Sequence, residues 1–322
     1  MKLSIVAATI LYLGLSAGAQ AAEYPTRPIT VIVPFPPGGA TDVTARLTTQ
    51  KMQGDFPQQF IIDNRPGANG SIGAGQLARA EPDGYTVMVG SIGVIAINPA
   101  LYKNLSYDPG KNFDLLTVAV RNPNVLVTRP DFPANTVGEM IEHLKKNPDR
   151  VTFASSGVGS SDHLTAVLFW QKTGTKGVHT PYKGGAPAHT DMMGSHVDAS
   201  FQNLGAVANY VREGKMKILG VTSEARIEAF PNTPTMKEAG VEDLEVYSWQ
   251  AFVAPKGLPA DVKERLLKSM TTALSTPDLK KRYNDLGFEV VANTPDEFSR
   301  FLEKELARWK VVVETGKIMP SQ

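Results

Sequence analysis

Short β-branched runs alternate with amphipathic helical stretches along most of this 322-residue chain, a pattern that restricts the fold to α/β architecture with largely parallel sheets. The pattern predicts strands at Ile29 to Val33, Phe60 to Asp63, Thr86 to Gly90, Leu116 to Val120, Val125 to Thr128, Val151 to Ala154, Gly177 to Thr180, Val197 to Phe201, Ile218 to Thr222, Gln250 to Ala254 and Phe288 to Val291. Helices fall between most of them, and several have explicit starts. Thr294-Pro295-Asp296-Glu297 combines a threonine cap, proline at the first helical position and glutamate at the third, a capping box that opens a helix running to about Glu314, before Gly316. Thr136 and Glu139 repeat that spacing. Thr276-Pro277 opens another helix with Leu279 and Tyr283 turned inward.

The N-terminus reads as an export signal: Lys2, an apolar run from Leu3 to Leu15, small residues from Ser16 to Ala22, and an A-x-A cleavage site at Ala19-Gln20-Ala21. The mature chain then begins near Ala22. Beyond that segment no run approaches the roughly 20 apolar residues that a membrane-spanning helix needs, so a soluble periplasmic protein is expected. The chain has no cysteine, which excludes disulfides, thiolate metal sites, a cysteine nucleophile and the lipid acceptor of a bacterial lipoprotein. Lys and Arg number 33 against 32 Asp and Glu, so removing Lys2 takes the formal charge from +1 to 0. A neutral chain is a poor nucleic-acid ligand.

A mature chain of this size exceeds a comfortable single core, so two domains are expected. The predicted crossings between them are Asn122-Pro123-Asn124 and Val246 to Trp249. This gives a signal segment at 1–21, a first lobe of 22–122 plus 248–322, and a second lobe of 123–247. Two crossings make a hinge, the design of a cleft that closes on a ligand.

The stretch TVIVPFPPGGATD, Thr30 to Asp42, is a strand that runs into a glycine turn and then a helix start. Prolines 34, 36 and 37 end the strand, Gly38-Gly39 allow a sharp turn with close ligand approach, and Thr41 or Asp42 can cap the helix. Such a terminus offers bare N–H groups to an anion without a basic side chain. The second half repeats the device: the run Val151 to Ala154 leads through Ser155-Ser156-Gly157-Val158-Gly159-Ser160-Ser161 into a helix from Asp162 to Lys172, although an ordinary turn capped by Ser160 or Ser161 has the same spelling.

Ligands of open α/β sheets bind outside the carboxyl ends of the strands, so opposed lobes would turn both loops to one cleft. The same geometry recruits the loops at Gly90-Ser91-Ile92-Gly93 and Tyr182-Lys183-Gly184-Gly185. The candidate site is therefore Phe35, Gly38, Gly39, Ala40, Thr41, Asp42 and Ser91 on one side, with Ser155, Ser156, Gly157, Gly159, Ser160, His163, Tyr182, Lys183 and Asn203 on the other. Trp249, like Phe35 and Tyr182, is an aromatic that either packs on the ligand or belongs to the core.

Other chemistries find less support. Ser160 and His163 invite a serine-hydrolase reading, but the nucleophile elbow G-x-S-x-G does not occur. The remaining histidines, at 143, 179, 189 and 196, show no H-E-x-x-H or comparable spacing, so neither a metal site nor a catalytic role is expected. Gly73 to Ala78 imitates a dinucleotide fingerprint, but Arg65 to Gly70 separate it from the preceding strand, and no cofactor is expected.

Taken in order, YPTRPITVIVPFPPGGATD from Tyr24, NRPGANGSIGA from Asn64, PDGYT from Pro82, the Ser155 to His163 loop, PYKGGAPAHTDMMGSHVD from Pro181, GKMKILGVTS from Gly214 and TPTMKEAG from Thr233 resemble the Bug family, the periplasmic solute-binding proteins of tripartite tricarboxylate transporters. The resemblance covers essentially the whole mature chain. It implies a type II periplasmic-binding fold, in which two α/β lobes close on a carboxylated ligand that is delivered to membrane permease subunits. It also implies a grip on one carboxylate made largely by backbone amides and ordered waters. A dicarboxylate, tricarboxylate, acidic amino acid or aromatic carboxylate would fit the family, and a monomer without cofactor is expected. The alternatives are a periplasmic sensor for a signalling partner and, further off, the hydrolase.

Overall fold

The computed structural model describes residues 24–319, so the export-signal reading lies outside the described residues. The chain runs β1 (Ile29–Val33), α1 (Ala40–Met52), β2 (Phe60–Asn64), α2 (Ser71–Leu77), β3 (Thr86–Ser91), a π-helical turn at Gly93–Ile97, α3 (Asn98–Leu101), α4 (Pro109–Asn112) and β4 (Phe113–Thr128). It continues through α5 (Val137–Lys146), β5 (Thr152–Ser155), α6 (Ser161–Thr173), β6 (Val178–Pro181), α7 (Gly185–Met193), β7 (Ala199–Asn203), α8 (Leu204–Arg212) and β8 (Lys217–Val221). The last part is β9 (Tyr247–Pro255), α9 (Ala260–Ser275), α10 (Pro277–Asp285), β10 (Glu289–Val290) and α11 (Pro295–Gly316).

Two half-sheets are built on the same plan. In the first, the parallel strands run β2-β1-β3, followed by β9 antiparallel to β3 and then β4 antiparallel to β9. In the second, the parallel strands run β6-β5-β7, followed by β4 antiparallel to β7 and then β8 antiparallel to β4. Each half thus completes its sheet with a strand that arrives from the other half. β4 and β9 lie side by side at the crossing, with Asn122 opposite Ser248 and Pro123 opposite Tyr247.

One expectation is corrected here. Leu116 to Val120 and Val125 to Thr128 are a single 16-residue strand, and Asn122-Pro123-Asn124 continue it without a turn. These polar residues read as a break, but Asn122 and Asn124 are fully buried. The Asn124 carboxamide donates to Thr165 Oγ1 (2.8 Å) and accepts from Asn203 Nδ2 (2.6 Å), and its backbone N–H donates to Thr222 Oγ1 (3.0 Å). Contacts from three distant segments override the local turn signal.

Helix α11 follows its sequence signal. Thr294 Oγ1 accepts from the Glu297 N–H, and Glu297 Oε2 accepts from the Thr294 N–H at 2.8 Å. Its apolar stripe buries Phe298, Leu302, Trp309, Val312 and Val313 against α3, β4 and α6, so the helix packs on both half-sheets. Each such side chain contributes about 1.5–3 kcal/mol by leaving water. At α10 the predicted inward pair Leu279 and Tyr283 is buried, beside α1 and α9.

Candidate functional site

A cavity that opens to solvent lies between the two half-sheets, at the carboxyl ends of their parallel strands. The turn after β1 supplies Phe35 to Gly39 and the first residues of α1. Gly39 is the N-cap and brings no side chain to the first turn, so the expected threonine or aspartate cap is not what starts this helix. Asp42 is instead buried behind the turn, where its Oδ2 accepts from Gly38 N–H (3.0 Å) and Arg46 Nε (2.9 Å) and its Oδ1 from Asn64 Nδ2 (3.0 Å). Burial works to raise the Asp42 carboxyl, but these donors outweigh it and hold the group below the usual carboxylate range. The result is a rigid turn whose helix terminus, at Gly39, Ala40 and Thr41, lines the cavity uncapped.

The loop after β5 is constructed differently. Ser160 caps α6: its hydroxyl accepts from His163 N–H (3.4 Å) and donates to Gly157 O (2.6 Å). Asp162 Oδ2 accepts from the Ser156 N–H (2.6 Å), the Ser156 hydroxyl (2.7 Å) and, more weakly, Gln202 Nε2 (3.4 Å). Burial pushes the Asp162 carboxyl up against the opposing pull of these hydrogen bonds. Behind the loop, the rings of His163 and His179 stack 3.6 Å apart at 7°. His163 Nδ1 accepts from Gly159 N–H (3.1 Å), and His179 Nε2 lies 2.6 Å from Ser155 Oγ. Burial, aided by the charge His179 would carry, lowers His163 to about 3, and burial lowers His179 to about 4, so both rings are neutral at ordinary pH.

A third wall comes from α7, whose N-cap Gly184 also lacks a side chain; Gly184 and Gly185 line the cavity. One turn further on, His189 Nε2 pairs with Gln202 Oε1 at 2.8 Å, and burial depresses its pKa. The floor carries Ser91, Ser248, Gln250 and Asn203, with Ser91 opposite Gln250 in the β3–β9 register. Among the described residues no lysine or arginine lines the cavity; its ionisable groups are Asp162, His189 and Tyr210.

Of the residues singled out from sequence, Phe35, Gly38, Gly39, Ala40, Thr41, Ser91, Ser156, Ser160 and Asn203 line this cavity together. The others are placed elsewhere. Asp42, Ser155, Gly157, Gly159 and His163 stand outside the lining, where Asp42, Ser155 and His163 hold the loops in shape through the contacts above. Tyr182 hydrogen-bonds Asp191 Oδ2 at 2.6 Å, and Lys183 is exposed. Trp249 belongs to the core, its Nε1 donating to the buried Glu305 carboxylate at 2.9 Å, because strand alternation turns it away from the face that carries Ser248 and Gln250. Sequence reasoning missed Asn69, Asp162, His189, Gln202, Tyr210, Ser248 and Gln250 as lining residues. Only His189 had a local signal, four positions after Gly185 on one helix face.

The arrangement offers neutral and backbone hydrogen-bond groups to a small anion. The hydrolase pairing does not form, since the Ser160 hydroxyl donates to a carbonyl and the nearby His163 Nδ1 is occupied by Gly159. Among the described residues no group of three His, Cys, Asp or Glu side chains gathers where a metal ion could be held.

Comparison with known proteins gives a consistent result. The family model of the tripartite tricarboxylate transporter family receptor matches residues 44–318. Protein BugT of Bordetella pertussis is 34% identical over 316 residues, covering 98% of this chain and 97% of its own. Two solved structures superpose with a TM-score of 0.88. The periplasmic binding protein BugD is 34% identical, covering 92% of this chain and 100% of its own. Rpa4515 of R. palustris, solved with adipate, is 33% identical, covering 93% and 100%. This chain, whose α1 and α7 termini open without a side-chain cap onto a cavity that no lysine or arginine lines among the described residues, belongs to the tripartite tricarboxylate transporter receptor family.

Proposed function

We propose that the protein is a periplasmic receptor that closes its two lobes on a small carboxylate and hands it to membrane permease subunits. The lobes are residues 22–122 with 248–322, and 123–247, after removal of a signal segment at 1–21. The observation that carries this reading is the uncapped terminus of α1 at Gly39, facing a cavity without lysine or arginine among the described residues. Backbone N–H groups and the helix dipole attract a carboxylate there. A hydrogen bond to a charged group contributes roughly 1.5–3 kcal/mol, so three or four of them reach the roughly 8 kcal/mol of micromolar binding before ordering costs. The adipate bound by Rpa4515, a relative with the same fold, supports the ligand class.

Calorimetric titration of the mature protein against a panel of carboxylates tests the proposal, with one ligand expected per chain and no turnover. Gly39→Val should remove that binding while the thermal transition stays in place, because a Cβ at Gly39 meets nothing within 4 Å. Flat heats across the panel would count against the receptor reading, and unchanged affinity in the variant would take the α1 terminus out of the site.

A further inference from the structure

The floor of the cavity holds polar groups that the anion grip does not use. Gln250 is 1% exposed and lines the cavity, and its Oε1 has no hydrogen-bond partner among the described residues. Its Nε2 makes one long contact, 3.4 Å, to the hydroxyl of Ser248, which also lines the cavity and is 2% exposed. Opposite Ser248 on β4 stands Asn122, fully buried, with neither end of its carboxamide partnered among the described residues. On the wall Asn69 Oδ1 is likewise unpartnered. Buried polar groups in native proteins are nearly always satisfied, so the unmet amide oxygens of Gln250 and Asn69, which line the cavity as Asn122 does not, mark where the ligand hydrogen-bonds.

The chemistry of the floor narrows what that ligand brings. A second carboxylate only accepts, and it would face the Asn69 oxygen, whose carboxamide is fixed by the 2.9 Å bond from its Nδ2 to Asn98 Oδ1, with no cation on the wall among the described residues. An ammonium would have to shed its hydration beside a single acidic group, Asp162, which already takes the Ser156 N–H and hydroxyl. A neutral hydroxyl donates to the Gln250 oxygen and accepts from Ser248, and it would also satisfy the carboxamide turned end for end. Resting on the receptor reading above, we propose that Gln250 and Ser248 are specificity-determining residues that read a hydroxyl on the ligand, which makes hydroxy-substituted carboxylates the preferred class.

Matched pairs that differ by one hydroxyl test this: lactate and propionate, 3-hydroxybutyrate and butyrate, malate and succinate, titrated calorimetrically into the mature protein. In at least one pair the hydroxylated member should bind tenfold or more tighter, since a site built to pair a hydroxyl rejects the analogue that leaves its polar groups unmet. In Gln250→Met that ratio should fall towards one, and Ser248→Ala should lower it too. A ratio near one for every pair that binds, or a ratio that survives both variants, overturns the hydroxyl assignment while leaving the carboxylate receptor standing. Tighter binding of alanine or aspartate than of the matching hydroxy acid overturns it in favour of an ammonium. Absence of binding by every member overturns the hydroxyl assignment, and the broader carboxylate panel then decides the receptor reading separately.

Discussion

The turn after β1 pairs its buried carboxylate with a half-exposed arginine and leaves its helix terminus bare, whereas the loop after β5 holds its equally buried carboxylate with neutral donors alone and caps its helix. Asp42 meets Arg46, whose side chain is 51% exposed, together with Gly38 and Asn64. Asp162 meets only neutral donors, and the loop it holds is backed by a stacked histidine pair. Both segments read in the sequence as strand, glycine-rich loop and helix start, yet their amides end up in different states. The first jaw leaves donors for a ligand, and the second spends most of its own on internal acceptors. In the receptor proposed above, the first would be the anion grip and the second a shaped wall of the cavity.

Substituting a glycine in each jaw should break the comparison most sharply. A Cβ at Gly159 would lie 2.3 Å from Cδ2 of the buried Leu101, on a backbone with φ of +80°, while one at Gly39 meets nothing within 4 Å. Gly159→Val should cost about 4 kcal/mol of stability through overpacking and a disfavoured backbone. Gly39→Val should cost less than about 1 kcal/mol and act on carboxylate affinity alone. Equal shifts of the urea midpoint in both variants would remove the distinction between grip and wall.

The two carboxylates offer the next test. Asp162→Ala leaves the Ser156 N–H and hydroxyl without their acceptor inside the protein, while Gln202 keeps its 2.8 Å bond to Ser200 Oγ, a loss of about 3 kcal/mol. Asp42→Ala leaves the Gly38 N–H without its acceptor, but Arg46 is half exposed and regains water and Asn64 keeps Phe35 O, so the loss should be about 2 kcal/mol. Chemical denaturation of both variants ranks them, and the reverse order would mean that the burial of Asp162 carries no structural weight.

The histidine pair makes the second jaw sensitive to pH. Both rings have folded pKa values depressed below the ordinary 6.5, to about 3 and about 4, so the unfolded chain takes up protons first as pH falls. Their contribution is fully present above pH 6.5 and is lost progressively toward the folded values, on the order of 2 kcal/mol between pH 7 and 5.5. The His179→Gln variant should show about half that slope in a series of thermal melts. A wild-type stability that stays level across this window would show that the rings do not resist protonation.

How much of this was legible beforehand depends on how far apart the determinants lie. The β1 turn could be read because Thr30 to Gly39 settle it locally. The fate of Asp42 could not, since it depends on Asn64, 22 residues on. Asn122 and Pro123 look like a turn that would split β4, but pairing with β9 and the partners that Asn124 finds on α6, β7 and the segment after β8 keep the strand continuous. Trp249 was drawn toward the cleft as an aromatic near a crossing. Its indole is claimed instead by Glu305, 56 residues away, and period-two alternation then gives the cavity face to its polar neighbours. Gln202 and Gln250 carry no local signal at all, because an isolated glutamine on a strand acquires meaning only from what the sheet sets beside it.

The smallest effect concerns the caps themselves. Ser160→Ala removes the hydroxyl that closes the first turn of α6, and the expected loss is about 1 kcal/mol. Gly39→Ser makes the opposite change, giving α1 the side-chain acceptor it lacks, and should stabilise the protein by about a few tenths of a kcal/mol. The affinities should diverge as well. The new hydroxyl at position 39 takes an N–H that the ligand carboxylate would otherwise receive, so stability and binding should move in opposite directions there and together at Ser160. Thermal melts with and without a bound carboxylate read both quantities from one sample, since ligand stabilisation grows with the logarithm of its concentration over Kd. If Gly39→Ser gains stability and keeps its full ligand-induced shift, the bare terminus of α1 is not where the anion binds.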